Sequence, residues 1–200
     1  QQPIKNKLDV PEQLAGVLSR LHDRRGYQPE DHERHHELEE NGDEDLEGLE
    51  RPHAPLRQHE TDGDADRLGV IDENGRFIRP NELLVLLYYY LKKYRGWDGP
   101  CVRNNSTTHM LDRVAAMMHE ECYEVPVGFK WISSKMAETD AILGGESSGG
   151  LAVKGHISGK DGIYAASLLT EMIARTGKSL SALYQEIVSQ IGELFYYDTD

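Results

Sequence analysis

The clearest periodicity lies near the end of the chain. Leu180, Leu183, Tyr184, Ile187, Val188 and Ile191 recur at i, i+3, i+4, i+7, i+8 and i+11. This is the apolar stripe of an amphipathic helix, predicted from Ser179 to about Ile191. Before it, a helix from about Asp161 to Arg175 is stopped by Gly177. A third helix, opened by Pro80, Asn81 and Glu82 and running to about Tyr94, is apolar nearly all round and should be buried on every side. Gly96 and Gly99-Pro100 end it. A fourth is expected to start from caps within Ser106-Thr107-Thr108 and run through Glu120, with Leu111, Val114, Ala115 and Met118 on one face. Short apolar runs between these read as strands. Leu68–Ile71 and Arg76–Ile78 flank a turn carrying Asn74-Gly75; Cys101-Val102, Tyr123–Val127 and Leu151–Val153 follow. Strands alternating with helices in this way predict an α/β fold, a three-layer α/β/α sandwich with helices on both faces of a sheet.

The first 60 residues lack this patterning. They hold 8 Lys/Arg against 15 Asp/Glu, a net of −7, and six of the nine histidines. One short helix is plausible from Pro11 to about Arg24, with Leu14, Val17, Leu18 and Leu21 on a face. From Asp23 to Glu60 the leucines are isolated, too few to offset the entropy of ordering. His32, His35 and His36 read as an exposed polar run before they read as a metal cluster. The expected division is a weakly structured acidic, His-rich leader over 1–60 and one α/β domain over 61–195.

Charge and composition narrow the function. A net charge of −13 argues against nucleic acid and anionic membranes as partners. The longest apolar run, Leu83–Leu91, is about half of the ~20 residues a membrane span needs. Two cysteines, Cys101 and Cys122, are too few for a disulfide scaffold. These features together suggest a cytoplasmic chain with free thiols.

Candidate chemistry begins at Asp62-Gly-Asp-Ala-Asp-Arg67. Carboxylates at alternate positions repel one another unless a cation offsets them, and Mg²⁺ and Ca²⁺ both prefer oxygen ligands. An EF-hand reading fits Asp62, Asp64 and Asp66 at positions 1, 3 and 5 and Glu73 at 12, but Arg67 occupies the position where the loop needs glycine. An acyl-phosphate nucleophile would need an apolar strand delivering it, and Ala54–Glu60 does not read as one. A Mg²⁺ site facing a phosphate, with Arg67 aimed at the same anion, is the third reading; a solvated acidic turn is the fourth. A second segment bears on the choice. Gly144-Gly-Glu146-Ser-Ser148-Gly-Gly150 is followed by Lys154, His156 and Lys160. Glu146 and Ser148 offer an acceptor and a donor at a spacing suited to vicinal sugar hydroxyls, and the cations suit a phosphate.

Together these stretches resemble the α-D-phosphohexomutase family of phosphoglucomutases and phosphomannomutases. Asp62–Arg67 resembles its metal-binding loop. Val125–Ser133 resembles its Gly-Phe-Lys segment. The run 144–150 resembles its sugar-binding loop of the form Gly-Glu-x-Ser-Gly. Gly155–Gly162 resembles the segment leading into the next helix. The similarity covers roughly Thr61 to Gly192 and lies nearest the phosphoglucomutase side. It implies an intramolecular phosphotransferase that interconverts hexose 1- and 6-phosphates through a hexose 1,6-bisphosphate. It implies Mg²⁺ held by Asp62, Asp64 and Asp66, Arg67 and Lys160 in catalytic roles, and Glu146, Ser148, His156 and Lys130 binding substrate, with Lys154 a further candidate. The family's serine loop, Thr-x-Ser-His-Asn-Pro, and its Arg-x-Ser-Gly-Thr loop do not occur in the 200 residues. The expectation is therefore a mutase portion inactive by itself, the alternative being a non-catalytic hexose-phosphate-binding or assembly module. Self-association through exposed domain faces is also expected.

Overall fold

The computed structural model describes residues 56–192 and residue 194. The expected helix over 11–24 and the histidines at 32, 35 and 36 lie outside the described residues, as do the ends of both expected domains at 1 and 195. The elements run β1 (Leu56–Thr61), β2 (Leu68–Asp72), β3 (Phe77–Ile78), α1 (Pro80–Lys93), β4 (Cys101–Asn104), α2 (Met110–Met117), β5 (Cys122–Val125), α3 (Phe129–Thr139), β6 (Leu143–Gly145), β7 (Leu151–Val153), α4 (Gly162–Thr176) and α5 (Leu180–Ile191).

Two sheets form. β1, β2 and β3 make an antiparallel meander, and the second sheet has the order β5-β4-β6-β7. In it β4 is parallel to both β5 and β6, whereas β7 returns antiparallel to β6. Among the described residues one isolated bridge, Arg67 to Gly150, joins the two sheets.

Period-two alternation on β4 divides the layers. Cys101 faces the main core with α1, α2, α4 and α5, while Val102 faces a smaller cluster with Ile132 of α3 and Ala141. The neighbouring β6 obeys the same rule with glycines. A Cβ on Gly144 would sit 2.5 Å from Ile132 and Met136 on the α3 side, and one on Gly145 would sit 2.1 Å from Leu84 of α1. The result is an α/β/α sandwich. α1 is its centrepiece, with Leu83 through Leu91 buried without a break. Tyr88, Tyr89 and Tyr90 belong to that core and find partners for their hydroxyls at Gly99 O, Glu186 and Glu171. The hairpin is tied to the last helix through buried Asp72, which accepts from the Asn74 and Arg76 amides and from the Ser181 hydroxyl.

Three expectations need correction. A strand, β1, forms directly before the aspartate loop, where 54–60 does not read as one. It is held by antiparallel pairing with β2, from Thr61–Leu68 to Leu56–Asp72, and backbone pairing asks for no apolar pattern. The second helix is shorter than predicted, Met110–Met117. Thr107 turns back to Asn104, and Thr108 Oγ1 accepts from the Met110 amide at 3.2 Å. At the other end His119 takes a left-handed φ of 60°. Finally, α3 is a helix that the apolar pattern does not predict. It buries only Ile132, and its Ser-Ser-Lys and Glu-Thr positions hide the helical period. No helix among the described residues is long and apolar enough to cross a membrane.

Candidate active site

The loop between β1 and β2 curls on itself. Asp62 Oδ1 accepts from the amides of Asp66 and Arg67, each at 3.1 Å, and the Ala65 amide donates to Asp62 O at 2.9 Å. Ala65 adopts φ 58°, a left-handed turn that a small side chain tolerates best. The curl brings one carboxylate oxygen from each of Asp62, Asp64 and Asp66 within 4.8 Å of the others. Arg67 Nε lies 2.6 Å from Asp62 Oδ2 and 3.2 Å from Asp66 Oδ1. Desolvation would raise the Asp62 carboxyl, but the Arg67 amide and guanidinium and the Asp66 amide outweigh it, so the group is held below its ordinary value. Asp62 Oδ2 is buried and takes no hydrogen bond; its ion pair with Arg67 is its charge partner. Three hard oxygens converging from one turn fit a small divalent cation.

The glycine-rich segment is brought against this loop. Lys160 Nζ pairs with Asp66 Oδ2, and the lysine stem passes so close to Gly150 that a Cβ there would lie 2.3 Å from Lys160 Cδ. The Gly162 amide, at the start of α4, donates to Ala65 O at 2.9 Å. Gly150, bridged to Arg67, also accepts from the Glu146 amide at 2.9 Å. Glu146 is itself 9% exposed, whereas Ser148 is exposed to solvent.

The remaining candidates lie around this centre. His156 Nε2 is 2.7 Å from Asp161 Oδ2, and its ring stacks on Tyr164 at 4.1 Å. Asp161 also caps α4 through the Tyr164 amide. Burial pushes its carboxyl up, but His156 and the backbone donors outweigh burial and hold it below the usual range. Lys154 is paired with Asp140 at 2.6 Å. Lys130, exposed in the first turn of α3, lies over the Trp131 ring. Its neighbour Phe129 comes within 5.8 Å of Lys160 Nζ. Thus Asp62, Asp64, Asp66, Arg67 and Lys160 form one cluster, with Glu146 joined to it through Gly150. Lys154 makes its ion pair with Asp140 instead. Sequence reasoning does not single out Asp161 or Asn104. The polar run Asn-Asn-Ser-Thr-Thr after an apolar strand is the signal available for Asn104.

Comparison with known proteins decides the family. The family model "Phosphoglucomutase/phosphomannomutase, alpha/beta/alpha domain III" matches residues 79–191, more than half of the chain. The chain belongs to the α-D-phosphohexomutase family. A phosphoglucomutase/phosphomannomutase of Thermococcus kodakarensis is 32% identical over 126 residues, covering 63% of this chain and 27% of that protein. A phosphoglucosamine mutase of Carboxydothermus hydrogenoformans is 36% identical over 132 residues, covering 63% and 29%. Among solved structures, a Thermus thermophilus protein assigned as a phosphomannomutase superposes with a TM-score of 0.68 at 38% identity, covering 76% of this chain and 34% of that one. The chain thus spans between a quarter and about a third of the length of these phosphohexomutases.

Proposed function

We infer that this chain supplies the metal loop and the sugar-reading segment of a phosphohexomutase that interconverts hexose 1- and 6-phosphates through a bisphosphate. The observation that carries the reading is the contact between Lys160 and Asp66 beside the Arg67–Gly150 bridge. It joins an acidic cation-type loop to a glycine-rich loop bearing Glu146 and Ser148, segments some eighty residues apart in the chain. Asp62, Asp64 and Asp66 would hold Mg²⁺. The ion would supply neutralisation of charge on a transferring phosphoryl group.

Other roles belong to the chain itself. Arg67, anchored by two aspartates, presents a fixed cation beside that phosphoryl. Lys160 reaches the same place and can leave Asp66 to touch a substrate phosphate or serve in proton transfer. Glu146 accepts from sugar hydroxyls and Ser148 donates to sugar oxygens. His156 and Lys130 bind the substrate's outer groups. The working domain takes in β1 and so reaches back to Leu56, ahead of the boundary expected at 61. The 200 residues contain no serine loop of the family form, so this chain alone binds hexose phosphate without turning it over.

The test is a coupled assay of the purified chain with glucose 1-phosphate, Mg²⁺ and a trace of glucose 1,6-bisphosphate, run beside calorimetric Mg²⁺ titration. The expected outcome is no turnover, with Mg²⁺ binding that weakens about tenfold or more in Asp64→Ala while the fold persists. Turnover at an enzymatic rate would sink the inactive-fragment reading. Unchanged Mg²⁺ binding in the variant would sink the metal assignment.

A further inference from the structure

β4 and β6 lie side by side and parallel, with Arg103 opposite Gly145, so their carboxyl ends deliver Asn104 and Glu146 as neighbours. Ligands of open α/β sheets bind outside the carboxyl ends of strands. Asn104 is 2% exposed there. Its Oδ1 accepts from the Ser106 amide at 3.1 Å, the Ser106 hydroxyl at 2.8 Å and the Thr107 hydroxyl at 2.6 Å. The Ser106 amide can only donate, so the atom it meets must be the oxygen, and the two hydroxyls turn their protons to the same atom. The nitrogen must point the other way, and there Nδ2 donates to Glu146 Oε1 at 3.3 Å.

The backbone that carries the receiving carboxylate is fixed as well. The Glu146 amide donates to Gly150 O at 2.9 Å, and the Gly149 amide donates back to Glu146 O at 3.1 Å. A second strut joins the same two segments, Ser106 Oγ to Ser147 Oγ at 3.3 Å. A buried carboxylate is costly unless donors face it. Asn104 provides one on Oε1, which leaves Oε2 for a donor from outside the protein.

We propose that Asn104 is the positioning residue for Glu146, holding its carboxylate in one orientation as the acceptor for sugar hydroxyls. The inference rests on the hexose-phosphate reading of the site. It is tested by titrating glucose 1-phosphate calorimetrically into the full 200-residue chain with Mg²⁺, for the wild type, Asn104→Ala and Asn104→Asp. Asn104→Ala should weaken binding about tenfold, the size expected for one hydrogen bond to a charged group. Asn104→Asp is nearly isosteric but sets a second carboxylate against Glu146, and should weaken binding further. A merely structural asparagine gives the reverse order, with Asp milder than Ala in both affinity and melting temperature, and that order overturns the proposal. The Asn104 side-chain amide resonance supplies a readout without ligand. It should move in Glu146→Gln, and an unmoved resonance overturns the pairing. If the wild type binds and Asn104→Ala binds equally well, the inference fails alone. If the wild type binds no glucose 1-phosphate, the reading of the site fails and takes this role with it.

Discussion

Gly162 shows how one residue can govern the metal loop from far along the chain. A Cβ there would stand 2.6 Å from Arg67 O and 3.1 Å from Ala65 O, both backbone atoms of the aspartate loop. Nothing flexible can yield, so Gly162→Ala should displace the loop and lose its amide bond to Ala65 O. We expect a loss of about 1–3 kcal/mol in denaturant unfolding, typical of overpacking, together with weaker Mg²⁺ binding. Gly63, inside the loop, has nothing within 4 Å of the place a Cβ would occupy, so Gly63→Ala is the matched control and should be near neutral. Equal effects of the two substitutions would argue against steric coupling through α4. Other residue roles are legible in the chain for a simple reason. Three aspartates at alternate positions repel, and that repulsion needs a partner in any fold. Asn104 is not legible there, because its role depends on what stands opposite the end of β4.

At the scale of elements, α3 differs from the other helices. α1, α4 and α5 bury whole stripes and can be read from their apolar spacing, whereas α3 buries Ile132 alone, against Val102 and Ala141. Its attachment should rest chiefly on that side chain, with half-buried Phe129 and Met136 packed beside it. Ile132→Ala is expected to cost about 2–5 kcal/mol, since it opens a cavity between helix and sheet. The loss should be local. Hydrogen exchange should quicken across 129–139 more than across α1, and uniform quickening would mean that the layers unfold as one unit. β1 teaches the complementary lesson. Its residues lack an apolar alternation, yet it pairs along β2 and so positions the aspartate loop at a strand end.

For the whole molecule, a charge cluster fastens the first long helix to the last. Glu186 of α5 accepts from Lys178 at 2.6 Å, Lys93 at 2.8 Å and the Tyr89 hydroxyl at 2.9 Å. Lys178 first, then Lys93 and Tyr89, hold its carboxyl down to about 2, against 4.5 for an ordinary glutamate. A carboxyl depressed in the folded state contributes stability that is fully present above the unfolded value and fades as pH falls through the folded one. The stability difference between wild type and Glu186→Gln should therefore be constant above about pH 5 and shrink between about pH 4 and pH 2. Urea unfolding at about pH 7 and about pH 3 measures it. A difference that grows on acidification would contradict the assigned contacts. Glu186 is partly solvated, so the effect on global stability should be modest.

Local physics writes part of this fold directly into the chain. Helical stripes of apolar residues have to find a core, so α1, α4, α5 and the β2–β3 hairpin can be read in advance, and the layered class with them. Alternating carboxylates and a glycine-rich run bearing Glu146 and Ser148 declared their chemistry, and with it the resemblance to phosphohexomutases. Which of these groups meet is set by the folded arrangement. Lys160 reaching Asp66, Gly162 closing on the aspartate loop and Asn104 facing Glu146 all join residues distant in the chain. Such contacts depend on strand register and on the close approach that glycine permits, and neither leaves a periodic trace along the sequence.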